Sequence, residues 1–324
     1  MARKRVGQLG LLDGEMARRR GRGCDQLMRI SELIDWDGVA RVLAPVEPKA
    51  TGKGKAGWPS LVLFRALLLQ RWYDLSDEAL EASLSDRLSF MRFCGLSVSD
   101  DVPDHSTFWR FRERLGEAGL IEPLFAEMQR QLEAHNVMVK RGTLIDATLM
   151  QAAARRPRMN EAKVARTDPD ARFGTNNERR RYAFGYKAHI GMDAGSGLVR
   201  RCVLTPANVQ EVSVAEALIA GDEAEVLADR GYDARWLHQH LEQRGIADGI
   251  MRRGVRNAPL SPAEAARNHA IAPRRRPVEK VFGTLKRIYR LRRLPYFNQA
   301  RNAVCLALAF IGYNLRRLDR ITAS

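Results

Sequence analysis

The sequence predicts an all-helical N-terminal half followed by an α/β half that contains a mixed sheet. Up to about residue 135, apolar residues recur at helical spacing, as in "WPSLVLFRALLLQRWYDL". From Gly142 the period changes, and "GTLIDATLM" begins a series of patterns in the order β-β-β-α-β-α-β-α, which is typical of a mixed α/β sheet. We therefore divide the 324 residues into a flexible basic arm at 1–25, a helical domain at 26–137 and an α/β domain at 138–324.

Capping signals place the helices of the N-terminal half. Ser76 is the predicted N-cap of "SDEALEASLSDRLSFMRFCG", and Gly95 is its predicted end. The segment "DHSTFWRFRERLG" is expected to begin at Asp104 or Ser106 and to end at Gly116. The arm before these helices is rich in Arg and Lys and poor in large apolar groups, which is typical of a mobile segment.

The α/β half begins with a strand, a long insertion and a hairpin. "RYAFGYKAHIGMD" and "LVRRCVLTP" are the predicted hairpin strands, joined by the turn "AGSG". The polar and basic stretch before them, at about 151–181, has a length that is usually functional or disordered. Helices are then expected at about 210–220 and 233–244, with the short strands "EVLAD" and "IADGIMR". The basic segment "RRRPVEKVFGTLKR" and an amphipathic segment at about 297–319 are the last predicted helices.

The charge of the chain indicates a polyanionic partner. Lys and Arg total 54 against 38 Asp and Glu, which gives a formal net charge of +16. Each Lys or Arg that contacts a phosphate releases a condensed counterion, so this balance favours nucleic acid. An anionic membrane is the competing partner, but no apolar run approaches the roughly 18 residues of a spanning helix, and no signal peptide pattern opens the chain. The four scattered cysteines fit a reducing cytoplasm.

Two acids of the α/β half lie within or directly after apolar strands. Asp146 lies inside "TLIDATL", where a buried carboxylate is costly unless it is paired or binds a metal. Asp229 closes "EVLAD", at the carboxyl end of a short strand, which is where ligands bind in open α/β sheets. Taken alone, each acid is better explained structurally, Asp146 as a hydrogen-bond acceptor and Asp229 as the cap of the helix after Gly231.

Together with Glu279, the two aspartates are better explained by a functional role. Glu279 is the single carboxylate among six basic residues in "RRRPVEKVFGTLKR". An exposed salt bridge is the simpler alternative. The first and fourth strands of this topology are neighbours, and the last helix packs across them, so Glu279 can converge with Asp146 and Asp229. Two charges about 4 Å apart repel by about 4 kcal/mol at an effective dielectric constant of about 20, so such a cluster needs cations. Oxygen-only ligands select Mg²⁺ or Mn²⁺, and two such ions can activate water or a 3′-hydroxyl.

The helix around Glu279 also places bases near it. At about 100° per residue, Arg275, Glu279 and Lys286 fall on one stripe, so both bases can contact the phosphates beside a scissile bond. An apolar face for docking on the sheet overlaps this stripe and consists of Val278, Phe282, Leu285 and Tyr289.

Further candidate DNA contacts have structural alternatives. Lys187, on the predicted second strand beside Asp146, is a candidate phosphate contact, with a strand-surface role as the alternative. Tyr232 can stack on a base, although packing within a turn is the commoner use of such an aromatic residue. Three arginines follow a capped helix start and fit either a DNA recognition helix or a solvated helix face; they are Arg110, Arg112 and Arg114.

Several segments share their pattern with one family of proteins. In the helical half the segment is "VPDHSTFWRFRERL", and in the α/β half the segments are "IDATL", "FGYKAHIGMD", "LTPANVQE" and "ADRGYD". They resemble bacterial insertion-sequence transposases of the DDE class, in the group called insertion-sequence family five. The signature helix of that family has the spacing Tyr-x2-Arg-x3-Glu-x6-Lys, which matches at Arg275, Glu279 and Lys286, with Ala272 at the tyrosine position.

The resemblance implies a ribonuclease-H-like fold in which Asp146, Asp229 and Glu279 form an acidic triad that binds two Mg²⁺ or Mn²⁺ ions. It also implies hydrolysis of double-stranded DNA at transposon ends, attack of the freed 3′-hydroxyl on target DNA, and a homodimer or larger assembly in the synaptic complex. Two other functions stay open: a silent or domesticated protein that binds transposon ends, and a stand-alone ribonuclease-H-like nuclease. The complete triad disfavours the first, and the helical domain and basic arm disfavour the second.

Overall fold

The chain forms two compact units. The computed structural model describes residues 4–8, 10, 13–14, 22–49, 56–157, 165–176, 181–255 and 258–323. One unit comprises Met1–His135 and Ala307–Ser324, and the other comprises Asn136–Leu306. The sequence predicts that all of 138–324 belongs to the α/β domain, but the end of the last helix is instead part of the helical unit.

The helical unit contains seven helices within the described part of 1–135. They are α1 (Arg22–Leu33), α2 (Trp36–Leu43), α3 (Ser60–Tyr73), α4 (Asp77–Asp86), α5 (Leu88–Cys94), α6 (His105–Glu117) and α7 (Ile121–Ala134). The predicted caps are confirmed, because the side chains of Ser76 and Asp104 accept hydrogen bonds from the first turns of α4 and α6. Gly95 ends α5 with a φ of 76°, a conformation that favours glycine. Between α4 and α5 the extended backbone of Arg87 interrupts the helical pattern.

The last helix, α12 (Gln299–Thr322), supplies a further helical segment of this unit. Trp72, at the end of α3, donates a hydrogen bond of 2.8 Å to the carbonyl of Gly312. A Cβ atom at Gly312 would lie 2.8 Å from the indole nitrogen, so this approach requires glycine. Nearer the end of α12, Asp319 pairs with Arg29 at 2.8 Å. These contacts are made by residues far apart in sequence, and for that reason the helical pattern of 297–319 did not reveal them.

The basic arm, where it is described, is held against the helical unit. The amide of Lys4 donates to the carbonyl of Gly57 at 2.7 Å, and its ammonium group lies 2.6 Å from Asp101. The amide of Gly7 donates to the carboxylate of Asp100 at 2.7 Å. These contacts differ from the flexible arm that the composition predicts. Most of the arginines of the predicted arm lie outside the described residues.

The second unit is built on a mixed sheet. Its strands are β1 (Thr143–Gln151), β2 (Arg172–Asn176), β3 (Arg181–Asp193), β4 (Val199–Pro206), β5 (Glu225–Ala228) and β6 (Ala247–Ile250). The strand β3 pairs antiparallel with β1, β2 and β4, whereas β5 pairs parallel with both β1 and β6. This order confirms the predicted ribonuclease-H-like mixed sheet, including the adjacency of the first strand and the strand "EVLAD".

The helices of this unit differ in extent from those that the sequence pattern indicates, and the helix Pro262–Arg275 was not predicted. They are α8 (Ala215–Leu218), α9 (Arg235–Gln243), α10 (Pro262–Arg275), α11 (Pro277–Arg287) and the beginning of α12. The predicted helix at 210–220 is a 3-10 turn, Glu211–Val214, followed by α8. The predicted insertion at 151–181 contains β2, and parts of it lie outside the described residues. No helix in the described part of the chain is long and apolar enough to cross a membrane.

The basic helix predicted around Glu279 is interrupted at Pro277. Since proline has no amide hydrogen, the helical hydrogen-bond ladder breaks there. The amide of Arg276 donates instead to the carbonyl of Pro273, and that of Glu279 donates to Arg276. Arg275 therefore ends α10 and Glu279 lies in the first turn of α11, while Arg276 between them keeps a helical backbone with φ −51° and ψ −32°. The single stripe expected for Arg275, Glu279 and Lys286 stays a prediction. The predicted apolar face is buried, as is Val281 beside it; its members are Val278, Phe282, Leu285 and Tyr289.

Candidate active site

Two acids lie side by side on the neighbouring parallel strands β1 and β5. Thr143 pairs with Val226 in the parallel register. Asp146 and Asp229 each lie three residues beyond a member of this pair, so the register brings them abreast on the same face of the sheet. Asp146 is within β1, and Asp229 directly follows β5, where its carboxylate accepts a hydrogen bond of 2.8 Å from the amide of Gly231. Strand pairing therefore creates this two-carboxylate site.

The environment of Asp146 disfavours its charged form. Burial raises the pKa of Asp146 to about 7, and the negative charges of Asp229 and Glu211 act in the same direction. Arg275 opposes the shift; its guanidinium lies 3.4 Å from Asp146, and both side chains are largely buried. The amide of Ala147 also donates to Asp146 at 2.8 Å. Burial has a larger effect than this ion pair and this hydrogen bond, so the charged form of Asp146 is disfavoured.

Two bases of the predicted signature helix reach β1 by separate routes. Arg275 reaches Asp146 from the end of α10. Lys286, in the last turn of α11, donates a hydrogen bond to the hydroxyl of Thr148. Thr148 lies two residues from Asp146 and therefore on the same face of β1. Burial lowers the pKa of Lys286, with a smaller effect from the charge of Arg292. Both bases thus flank Asp146 along the strand.

Glu279 makes no hydrogen bond or ion pair with the two aspartates in this structure. It is exposed in the first turn of α11. The described residues contain no group of three or more His, Cys, Asp or Glu side chains that could hold a metal ion. The structure therefore brings together two of the three predicted acids.

The chemistry of the two assembled acids fits a divalent cation. All donor atoms of Asp146 and Asp229 are carboxylate oxygens, which Mg²⁺ and Mn²⁺ prefer. Burial, with a smaller contribution from the charge of Asp229, raises the pKa of Asp146, and a bound cation would favour its charged form. The two aspartates therefore fit the ion that the sequence predicts, although the complete ligand set is not assembled.

Glu211 is a carboxylate near the site that the sequence analysis did not single out. It lies in the 3-10 turn after β4, and burial raises its pKa, with a further contribution from the charge of Asp229. One of its oxygens lies 3.3 Å from the ammonium group of Lys187. Glu211 is the last residue of the quoted segment "LTPANVQE", so the signal was present in the sequence. What linear spacing does not show is the contact with Lys187, which comes from another strand.

Lys187 is engaged inside the protein rather than facing solvent. Its ammonium group donates to the carbonyl of Val209 at 3.0 Å and pairs with Glu211. In the antiparallel register Lys187 lies opposite Leu149, which places it on the face of the sheet opposite to that of Asp146. The structure does not support the predicted phosphate contact, because this cation already has two partners and is buried.

Tyr232 is buried in the apolar cluster that also contains Ile145, Val226 and Leu237. Its side chain has no exposed surface, and its hydroxyl has no hydrogen-bond partner among the described residues. Burial raises the pKa of this phenol well above its ordinary value, and the charges of Asp146, Glu211 and Asp229 raise it further. Tyr232 is therefore not placed for stacking on a base, and the packed alternative is the observed one.

The three candidate arginines of α6 have different environments. Arg112 is buried and forms a two-pronged ion pair with Asp77, including a bond of 2.7 Å. Arg114 is half-buried and donates to the carbonyl of Val46 at 3.3 Å. Arg110 is exposed. The prediction that all three contact DNA is wrong for Arg112, whose guanidinium is committed to the helical core, and α6 presents Arg110 to solvent.

Comparison with known proteins gives two family matches that together span most of the chain. Residues 17–114 match the family described as Transposase domain (DUF772), and residues 138–315 match the Transposase DDE domain. The piggyBac transposase synaptic complex with hairpin DNA, solved by cryo-electron microscopy, is 11% identical over 92% of this chain and 78% of that chain, with a TM-score of 0.42. The crystal structure of the Mos1 strand transfer complex is 16% identical over 76% of this chain and 77% of that chain, with a TM-score of 0.19. At these TM-scores neither likeness bears on function.

Proposed function

Because the chain belongs to the Transposase DDE domain family, we propose that it cuts DNA at the ends of an insertion sequence and joins the freed 3′-hydroxyl ends to target DNA. The observation that carries this proposal is the placement of Asp146 and Asp229 side by side on parallel strands. The group called insertion-sequence family five is the proposed assignment, based on the spacing of Arg275, Glu279 and Lys286. The proposed partners are transposon ends, target DNA and at least one further copy of the chain.

The proposed cofactor is Mg²⁺ or Mn²⁺, two ions in each site, held by Asp146, Asp229 and Glu279. Bound divalent ions supply activation of a water or 3′-hydroxyl and stabilisation of the leaving oxygen. The carboxylate of Asp146 is strongly desolvated, so it favours a bound cation over the charged free state. Glu279 joins this set in the proposal because of its place in the signature helix, whose Lys286 is bonded to Thr148 on β1.

Arg275 and Lys286 are the residues that we expect to contact the phosphates of the DNA substrate. The guanidinium of Arg275 offers planar donors to the phosphates beside the scissile bond, and Lys286 offers a compact positive charge beside Thr148. The net charge of +16 supports binding to the DNA backbone without sequence preference. Positioning the phosphate between these bases and the carboxylates lowers the entropic cost of the reaction.

A plasmid cleavage assay tests the proposal. The substrate carries the inverted repeats that flank the gene, and the expected products with Mg²⁺ are ends with 3′-hydroxyls, followed by strand transfer. Asp229→Asn should abolish both reactions and keep DNA binding. Binding of the ends without cleavage by the unaltered protein would instead establish the catalytically silent end-binding protein. Equal cleavage of DNA with and without the repeats would establish a general nuclease.

A further inference from the structure

We propose that Arg292 binds a phosphate of the transposon-end backbone, within about four nucleotides of the scissile phosphate. The assignment rests on the proposed function, because this DNA is the substrate of Asp146 and Asp229. It goes beyond the predicted bases, since Arg292 lies after α11, outside the signature helix that supplies Arg275 and Lys286. The ligand is the phosphodiester backbone, so the contact positions the DNA and carries no information about base sequence.

Main-chain hydrogen bonds hold Arg292 against the carboxyl end of β1. The amide of Gln151 donates to the carbonyl of Arg292 at 3.0 Å, and the amide of Leu294 donates to the carbonyl of Gln151 at 2.8 Å. These two bonds form a parallel bridge between Gln151 and Arg293. Because β3 occupies one edge of β1 along its whole length, the bridge lies on the other edge, which β5 uses at the amino end of β1. Arg292 and β5 therefore lie along one edge of the strand that carries Asp146.

The register of this bridge places Arg292 on the same face of the sheet as Asp146. Arg293 lies beside Gln151, so Arg292 lies at the level of Met150. Side chains alternate between the two faces of a strand, so Met150 and Asp146, four residues apart, share a face, and Arg292 shares it with them. Four residues of strand span about 13 Å, and one DNA strand advances about 3.4 Å per nucleotide. About four nucleotides therefore separate the level of Arg292 from that of Asp146.

The two adjacent arginines of this segment have different environments. The guanidinium of Arg293 donates to the carbonyls of Ala152 at 2.9 Å and Ala153 at 2.5 Å, and it thereby fastens the segment to the end of β1. Arg292 is exposed, and its guanidinium forms no hydrogen bond or ion pair with a described residue. Its donors are open to a phosphate, which a planar guanidinium can bind through two nitrogens.

A second cation near Arg292 supports an anionic ligand. Lys286 is half-buried, and its ammonium group donates to the hydroxyl of Thr148, which lies on the same face of β1 as Asp146. Burial lowers the pKa of Lys286, and the charge of Arg292 lowers it further. Neither cation forms an ion pair with a carboxylate in the described part of the chain. Neighbouring cations repel each other, and a phosphate that contacts both relieves this repulsion.

The test is a thermodynamic cycle between the full chain and single phosphates of the DNA, measured by fluorescence anisotropy in chelator. The probe is a duplex that ends at the boundary of the inverted repeat, with each phosphate within about five nucleotides of that boundary replaced in turn by an uncharged methylphosphonate. For the unaltered protein, neutralising the phosphate that Arg292 binds should weaken binding about tenfold. In Arg292→Gln the same DNA change should cost less than about twofold, because the contact is already absent.

The matched control is Arg201→Gln. Arg201 is also exposed, but it lies on β4, which pairs with β3 and not with β1, so its substitution should leave the cost of every methylphosphonate unchanged. Melting curves establish that both variants fold.

Three results would overturn the contact. One is equal sensitivity of Arg292→Gln and the unaltered protein at every phosphate, and another is loss of the same sensitivity in Arg201→Gln. Normal end binding by Arg292→Gln with loss of strand transfer alone would place Arg292 on target DNA instead. The binding cycle needs no cleavage, so it is independent of the proposed activity, which fails if the unaltered protein binds the ends in Mg²⁺ without cutting them.

Discussion

Arg275 and Asp146 form an ion pair of 3.4 Å between a guanidinium nitrogen and a carboxylate oxygen, at a point where both side chains are largely buried. The pair joins the end of α10 to the middle of β1, the strand that also contacts β5. Arg275 offsets part of the burial penalty of Asp146 without restoring an ordinary pKa. The remaining burial penalty of the Asp146 carboxylate predicts a dependence of stability on pH that can be measured without DNA.

Asp146→Asn should stabilise the metal-free protein at alkaline pH and abolish cleavage. The pKa of Asp146 rises from 3.8 to about 7 on folding, so ionisation costs stability as pH rises through this interval. Three pH units correspond to at most about 4 kcal/mol, an upper bound because the carboxylate keeps some solvent contact. Thermal melting in chelator at pH 8 and pH 4 checks this prediction. The variant should melt higher at pH 8 and equally at pH 4; an equal difference at both pH values would contradict it.

Arg275→Gln should destabilise the protein only while Asp146 is charged. Removing the guanidinium leaves a desolvated carboxylate without its cation, and the loss at pH 8 should reach about 3 kcal/mol at most. In the Asp146→Asn background the same change should cost little, so a double-mutant cycle measures the coupling. Lys280→Gln is the matched control, because Lys280 is exposed on α11. Equal losses in both backgrounds would show that Arg275 acts through packing alone.

Substitution of Arg112 should lower stability, whereas substitution of Arg110 should change DNA binding, although both residues lie on α6. Arg112→Ala breaks the buried pair with Asp77 and should cost about 3–5 kcal/mol of stability. The pKa of Asp77 is lowered by Arg112 against the effect of burial, so this stabilisation is present at neutral pH and is lost as pH falls below the ordinary range. Arg110→Ala should leave stability unchanged and lower the salt dependence of DNA binding by about one unit of slope. Denaturation curves and gel shifts measure the two effects; a stable Arg112→Ala variant would contradict the assignment.

The sequence predicted the parts of the site that depend on strand order. Adjacency of the first and fourth predicted strands follows from the topology, and it brought Asp146 and Asp229 together. The ion pairs of Lys187 and Arg112 could not be predicted in this way, because their partners come from distant elements of the fold. Local pattern could not distinguish a buried ion pair from a solvated base.

The boundary between α10 and α11 has a signal in the sequence, which is Pro277, but the spacing of the charged residues predicted one continuous helix. Pro277 disfavours a continuous helix through Arg276, but the spacing of Arg275, Glu279 and Lys286 suggested one stripe. The structure places a helix boundary there, at Arg276, whose backbone stays helical with φ −51° and ψ −32°. Pro277 changed the local hydrogen bonding, whereas the apolar face of α11 followed the predicted pattern because burial depends on all its members.

DNA binding should weaken steeply with salt. The net charge of +16 favours several phosphate contacts, and six to ten of them would reduce the affinity by about 10³–10⁵ between 50 and 200 mM salt. Gel shifts or fluorescence anisotropy with transposon-end DNA over this range give the slope. A nearly flat double-logarithmic plot would remove the electrostatic basis for a DNA partner.

Glu279→Gln should separate catalysis from stability more cleanly than either aspartate variant. Glu279 is exposed and makes no hydrogen bond or ion pair with Asp146 or Asp229, so neutralising it relieves no buried repulsion. We therefore expect unchanged melting in chelator at pH 8, in contrast to the rise expected for Asp146→Asn. Cleavage and strand transfer should nevertheless be lost if Glu279 is the third ligand, and end binding should survive because the basic surface is intact. Lys280→Gln, one residue away and equally exposed, controls for local disturbance of α11. Near-normal cleavage by Glu279→Gln would exclude it from the metal site and leave Asp146 and Asp229 to bind the cation without it.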